Sequence, residues 1–91
     1  GRAETKFVKS SAGRRACVNL DTISANFREG ETVDLQALQE RGLVDRRASA
    51  CKILARGVLN KALTVEAADF SLPAVKMIVL TGGKVVKLKK G

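Results

Sequence analysis

The stretch Val33-Asp34-Leu35-Gln36-Ala37-Leu38-Gln39-Glu40-Arg41-Gly42-Leu43 carries signals for both ends of one short helix. With Asp34 at the N-cap, its carboxylate can accept from backbone amides that the first turn leaves open. Val33 then falls at N′ and Leu38 at N4, the two positions of a hydrophobic staple. At the other end Gly42 takes C′, where a left-handed backbone is needed. Leu38 and Leu43 become C3 and C″, whose apolar contact accompanies a Schellman stop. Independent signals at the two ends therefore predict one two-turn helix over 34–41.

Working outward, Ala16 to Leu20 reads as a short strand, and Asp21 is placed to cap a brief helical turn through Ile23 and Phe27, closed by Gly30. Downstream, Arg46 to Ala50 reads as a polar, basic loop. Cys51-Lys52-Ile53-Leu54-Ala55 predicts a strand that turns at Arg56-Gly57. After Asn60-Lys61, Leu63-Thr64-Val65-Glu66-Ala67 alternates apolar and polar residues at period two, the pattern of a half-buried strand. Ser71 is a good N-cap, and Pro73 in the first turn loses no hydrogen bond there. The run Ala74-Val75-Lys76-Met77-Ile78-Val79-Leu80 is too apolar for periodicity to separate helix from strand. The cap and the glycines at 82 and 83 decide for a buried helix over 72–81. Val85-Val86-Lys87-Leu88 then predicts a last short strand before Lys89-Lys90-Gly91.

This order predicts the α/β class: a small single domain of short mixed strands and two or three helices. Residues 1–15 are expected as an extended basic arm, 16–88 as the globular domain and 89–91 as a basic tail. A chain of 91 residues holds one core at most. Its hydrophobic fraction of 45% suffices for a core, and with 3% aromatic residues that core must be aliphatic. Phe7, Phe27 and Phe70 supply the rings. No run approaches the roughly 20 apolar residues of a membrane span, and the start does not read as a signal peptide. Opening on Gly1 is expected of a fragment or a processed chain.

Chemistry is poorly provided for. The chain has no histidine, which removes the commonest general base and both histidine-paired nucleophiles. Cys17 and Cys51 alone cannot supply the four ligands of an ordinary zinc site, and both thiols are expected buried, free and reduced. Gly82-Gly83-Lys84 misses the phosphate-loop pattern, because a strand rather than a helix follows the lysine. No enzyme activity, cofactor or metal is expected.

Charge is the informative quantity. The net charge is +8, and it is segregated. Residues 1–20 carry five positives and one negative, and 21–45 carry two positives against six negatives. Residues 46–61 carry five positives and no negative, and 62–91 carry five positives and two negatives. Three basic blocks thus flank one acidic segment, as expected of a surface that meets a polyanion. The low aromatic content argues against a stacking platform for single strands.

An ordered set of segments also carries a resemblance. Val18-Asn19-Leu20, Gly30 to Leu43, Lys52-Ile53-Leu54, Leu63 to Ala67, and Phe70-Ser71 with Ala74, Ile78 and Gly82-Gly83-Lys84-Val85 occur in the order of one family. Over about residues 17–86 the chain resembles the globular C-terminal region of large-subunit ribosomal protein L fifteen, whose fold is shared with the L eighteen e proteins. The resemblance implies an irregular ββα superhelix and a structural role in the large ribosomal subunit, binding ribosomal RNA beside neighbouring ribosomal proteins on a cytoplasmic or organellar ribosome. It implies no membrane partner and no small-molecule substrate. The chain departs from the pattern at Ala55, where relatives carry glycine, and in the apolar Val79-Leu80-Thr81, which suggests burial against a neighbour. Residues 1–15 are expected as the stump of the family's longer glycine- and arginine-rich extension.

Basic loops and termini are then the expected phosphate contacts, positioning the domain without reading bases. In the arm these are Arg2, Lys6, Lys9, Arg14 and Arg15. The middle block offers Arg46, Arg47, Lys52, Arg56 and Lys61, and the C-terminal segment Lys84, Lys87, Lys89 and Lys90. The acidic residues Glu29, Glu31, Asp34 and Glu40 are expected to face away from RNA. Two other classes fit the charge and the apolar helix: a free-standing nucleic-acid-binding module and a protein-interaction domain.

Overall fold

In the computed structural model, which describes residues 14–88, the helix over 34–41 forms as its end signals dictate. Helix α2 spans Leu35–Glu40, and the Asp34 carboxylate accepts from the Ala37 amide at 2.8 Å. Gly42 has φ +73, and its amide donates to Gln39 O while that of Leu43 donates to Leu38 O. This pair of bonds is the Schellman motif. A Cβ on Gly42 would meet nothing within 4 Å, so a substitution there costs backbone strain alone. Gly42→Val should lower stability by about 1–2 kcal/mol, read from a thermal melt; an unchanged midpoint would contradict the left-handed stop.

Six strands and three helices follow one another through the described chain: β1 (Arg14–Asn19), α1 (Leu20–Asn26), β2 (Thr32–Val33), α2, β3 (Ala48–Leu54), β4 (Thr64–Ala67), β5 (Asp69–Phe70), α3 (Leu72–Leu80) and β6 (Lys84–Lys87). The odd strands form one sheet in the order β1-β3-β5, and the even strands form a second in the order β2-β4-β6. All of these pairings are parallel. The backbone therefore coils, visiting each sheet once per turn, and each turn lays its strands beside those of the turn before. This is the α/β class expected, with its superhelical character written in the strict alternation of sheets.

Among the described residues seventeen apolar ones close the core, including Leu20, Ile23, Val33, Leu38, Ile53, Val65 and Ile78 at 0% exposure, and no polar or charged residue is buried with them. Phe27 and Phe70 are both buried. In β4 the period-two reading holds: Val65 and Ala67 point inward, and Thr64 and Glu66 are half-exposed. Helix α3 is capped as read, with the Ser71 hydroxyl accepting from the Ala74 amide. It ends in a second Schellman motif, Gly82 N–H to Val79 O and Gly83 N–H to Ile78 O.

Several expectations are corrected. Asp21 does not cap α1: the helix starts at Leu20, two residues before the start an Asp21 cap would set, and its N-cap Asn19 makes no side-chain cap bond. Burial of Leu20 decides this, since strand β1 runs into the helix without a loop. Helix α1 ends at Phe27 rather than at Gly30; the left-handed Gly30 instead turns the chain and donates to Ala62 O. The Arg46–Ala50 loop is shorter than expected, because β3 already begins at Ala48, paired with Arg14. Helix α3 is buried on one side only: Leu72, Val79 and Leu80 are 77%, 55% and 81% exposed.

Candidate nucleic-acid interface

Strand geometry redistributes the basic residues. A seven-residue strand is about 23 Å long, so β3 separates Arg46 and Arg47 at its start from Arg56 beyond its end. The middle basic block is therefore two places on the surface. All three arginines are exposed. The Arg46-Arg47 turn is held from α2, where the Gln39 side-chain amide donates to the carbonyls of Asp45, Arg46 and Ala48 at 3.2, 3.2 and 2.9 Å. Asp45 completes the turn by accepting from the Arg47 backbone amide at 2.8 Å and pairing with its guanidinium at 3.7 Å. Sequence reading passed over Gln39, which has no local signal beyond its polarity. Between Gln36, Gln39, Glu40 and Arg46 lies only a shallow, open depression.

The outward face of the odd sheet follows from register. Arg15 pairs with Ala50, Cys17 with Lys52, and Lys52 with Asp69, so these side chains emerge on one side while Val18, Cys51 and Ile53 fill the core on the other. Asp69 gathers three cations: Arg15 at 3.9 Å, Lys52 at 3.8 Å and Lys87, from the even sheet, at 3.7 Å. The Phe70 backbone amide does most to hold the Asp69 carboxyl below its ordinary pKa range; burial opposes it, and Lys52, Lys87 and Arg15 each add a smaller lowering.

Lys61 is drawn the other way. Its ammonium donates to the carbonyls of Ser24 at 2.5 Å and Phe27 at 2.9 Å, placing a cation at the C-terminal end of α1 where the helix dipole favours it. Arg41 joins it there, donating to Asn26 O, pairing with Glu31 at 3.2 Å and lying 3.9 Å over the Phe27 ring. Two cations thus cap a helix whose last turn has no basic residue of its own. Glu31 also accepts from the Arg28 amide, and that bond, ahead of Arg41, lowers its pKa. Of the acidic residues, Asp34 serves the cap of α2, and Glu29 and Glu40 are exposed. Lys84 is exposed beside the start of β4. Arg14 opens β1. Arg2, Lys6, Lys9, Lys89 and Lys90 lie outside the described residues, as does Phe7.

The thiols differ, contrary to the expectation that both are buried. Cys51 is buried and Cys17 is exposed. Val18 takes the inward phase of β1, and the period-two rule then forces Cys17 out. Burial, opposed by the Ala68 amide, raises the Cys51 pKa, which leaves less of the reactive thiolate. An excess of a small alkylating reagent should therefore modify Cys17 alone in the native protein and both cysteines in denaturant. Equal native labelling of the two would contradict the assigned register. Among the described residues no group of three or more acidic, cysteine or histidine side chains could hold a metal ion, and no helix is long and apolar enough to cross a membrane.

Comparison with known proteins bears on the same span. The family model for ribosomal proteins 50S-L15 and 50S-L18e and their 60S counterpart matches residues 17–86. The large ribosomal subunit protein uL15 of Syntrophotalea carbinolica is 46% identical over 69 residues, 76% of this chain and 47% of its own length. That of Fervidobacterium nodosum is 41% identical over 70 residues, 77% of this chain and 47% of its own. That of Micrococcus luteus is 46% identical over 66 residues, 72% of this chain and 43% of its own. The chain spans about half the length of the relatives it matches.

Proposed function

Since the chain belongs to the family of ribosomal proteins 50S-L15 and 50S-L18e and their 60S counterpart, we propose that it is a structural, non-catalytic constituent of the large ribosomal subunit and binds ribosomal RNA by neutralising phosphates. The observation that carries this reading is the placement of the exposed basic side chains. They stand at the start of β3, beyond its end and on the outward face of the odd sheet, over a core in which no described polar or charged residue is buried. Cations fixed on and beside short strands suit contact with a folded RNA surface. Shape and phosphate geometry, rather than base edges, would then supply specificity. In this reading the globular domain takes in β1 from Arg14 onward and runs to residue 88, and the protein works on ribosomes of the cytoplasm.

The exposed stripe Leu72, Val79 and Leu80 favours a second, compatible contact with a neighbouring ribosomal protein. Co-sedimentation tests the assignment. The full chain should travel with large ribosomal subunits in moderate salt. A chain that binds free RNA yet stays off subunits would be a separate nucleic-acid-binding module. One that ignores RNA and retains a protein partner would be an interaction domain.

A further inference from the structure

We propose that Arg15, Lys52 and Lys87 form a single phosphate-binding cluster and that Asp69 is its positioning residue, holding three cations from three strands on the outward face of the odd sheet for an RNA backbone phosphate. The inference rests on the RNA-binding reading above and names where on the surface a phosphate sits and what prepares the place.

The four side chains come from both sheets. Arg15 is on β1, Lys52 on β3, Asp69 on β5 and Lys87 on β6, so the fold has brought together residues from opposite ends of the described chain. Each cation lies 3.7–3.9 Å from the carboxylate. That is ion-pair range but beyond the 2.7–3.2 Å of a direct N–H···O bond, so the donors of all three remain available to another acceptor. Oδ1 of Asp69 is already engaged by the Phe70 amide at 2.9 Å, which fixes the carboxylate against the strand. Three positive charges against one negative leave the cluster at a net +2. Its members are 48%, 36% and 67% exposed for Arg15, Lys52 and Lys87, open enough to be reached from solvent.

Without the carboxylate, three cations this close would repel one another and spread, and a phosphate would have to regather them. With it, the ordering cost is met in the free protein, which is how preorganisation raises affinity. The surrounding positions of the sheet, Cys17, Ala50 and Asn19, carry short side chains, so a convex nucleic-acid backbone can come close.

A sign makes this testable. Asp69→Asn removes a negative charge from a protein that binds a polyanion, so general basicity predicts tighter binding. The positioning role predicts the reverse. Asparagine keeps an oxygen for the Phe70 amide, so the strand should hold, and a thermal melt at neutral pH checks it. Fluorescence anisotropy of the full chain with RNA extracted from large ribosomal subunits, at several salt concentrations, supplies the readout. Asp69→Asn should weaken binding by about threefold to tenfold and flatten the slope of log affinity against log salt. Lys87→Gln, a change at an exposed side chain, should weaken binding as well, and Asp69→Asn should add little once Arg15, Lys52 and Lys87 are all glutamine. A folded Asp69→Asn protein that binds as well as or better than wild type overturns the positioning role, and wild-type affinity in the triple variant overturns the cluster. Failure of the unaltered chain to bind this RNA would count instead against the RNA-binding reading itself.

Discussion

Gly83→Ala is expected to destabilise this protein strongly. A Cβ on Gly83 would overlap the backbone carbonyl oxygen of Leu63 and stand 3.0 Å from both Leu63 N and Ile78 O. Those atoms belong to backbone, so no side-chain rotation relieves the clash. Gly83 is also where the end of α3 meets the even sheet. Its own amide donates to Ile78 O, and the next amide, from Lys84, donates to Leu63 O at 2.9 Å to start β6 on β4. Pushing the chain away would loosen both bonds and the strand they anchor. Overpacking of a tight site costs about 1–3 kcal/mol, and against fixed backbone the upper end applies. A loss of about 3 kcal/mol in a domain of this size lowers the melting temperature by roughly 12–24 °C. The neighbouring Gly82→Ala is the control. There φ is +89 but a Cβ would meet only Ala62 Cβ at 3.7 Å, so the cost is backbone strain of about 1 kcal/mol. Equal midpoints for the two variants would show that close approach is not what Gly83 provides.

What the sequence made legible, and what it hid, divides along the range of the interactions. Helix α2 could be read residue by residue because its cap, staple and Schellman contacts all lie within the consecutive positions 33–43. Ser71 and the glycines at 82 and 83 framed α3 for the same reason. The exposed side of α3 could not be read, because Leu72, Val79 and Leu80 are as apolar as the residues beside them that face the core. The start of β3 was hidden too. Ala48-Ser49-Ala50 has no clear alternation, and it becomes strand because β1 lies alongside with Arg14 opposite Ala48 and Arg15 opposite Ala50. Family resemblance implied a superhelix, but the sorting of odd and even strands into two parallel sheets depends on pairings between distant residues. The same applies to the basic surface. Net charge and its blocks were plain in the sequence. That Lys61 turns inward onto α1, that Gln39 grips the Arg46-Arg47 turn and that Asp69 gathers Arg15, Lys52 and Lys87 follow only from the coil of the chain.

Reversing Arg46, Arg47 and Arg56 to glutamate should weaken binding to large-subunit RNA on the order of 100-fold at moderate salt. The three are exposed and lie away from the core, so the fold should survive. Each lost phosphate contact removes a little under one unit from the slope of log affinity against log salt, and three should flatten it by roughly two to three units. The structure adds a constraint that composition could not. Arg46 and Arg47 stand about 23 Å from Arg56 along β3, far enough that their effects should add without coupling. Asp45 sharpens this further: it already pairs with Arg47, so Arg46→Glu alone should cost more than Arg47→Glu alone, whose charge is partly offset in the free protein. The comparison is Glu29, exposed and making no ion pair among the described residues, whereas Glu40 shares a depression with Arg46 and is left in place. Glu31 is left in place because it holds Arg41 beside α1. Changing Glu29 to glutamine should alter affinity by about twofold or less, because a charge beyond a Debye length of about 8 Å from the phosphates is screened. General stickiness predicts instead that any change of charge matters in proportion to its size. A gain from Glu29→Gln comparable per charge to the loss from the arginine variants would mean that no defined face of this protein meets RNA.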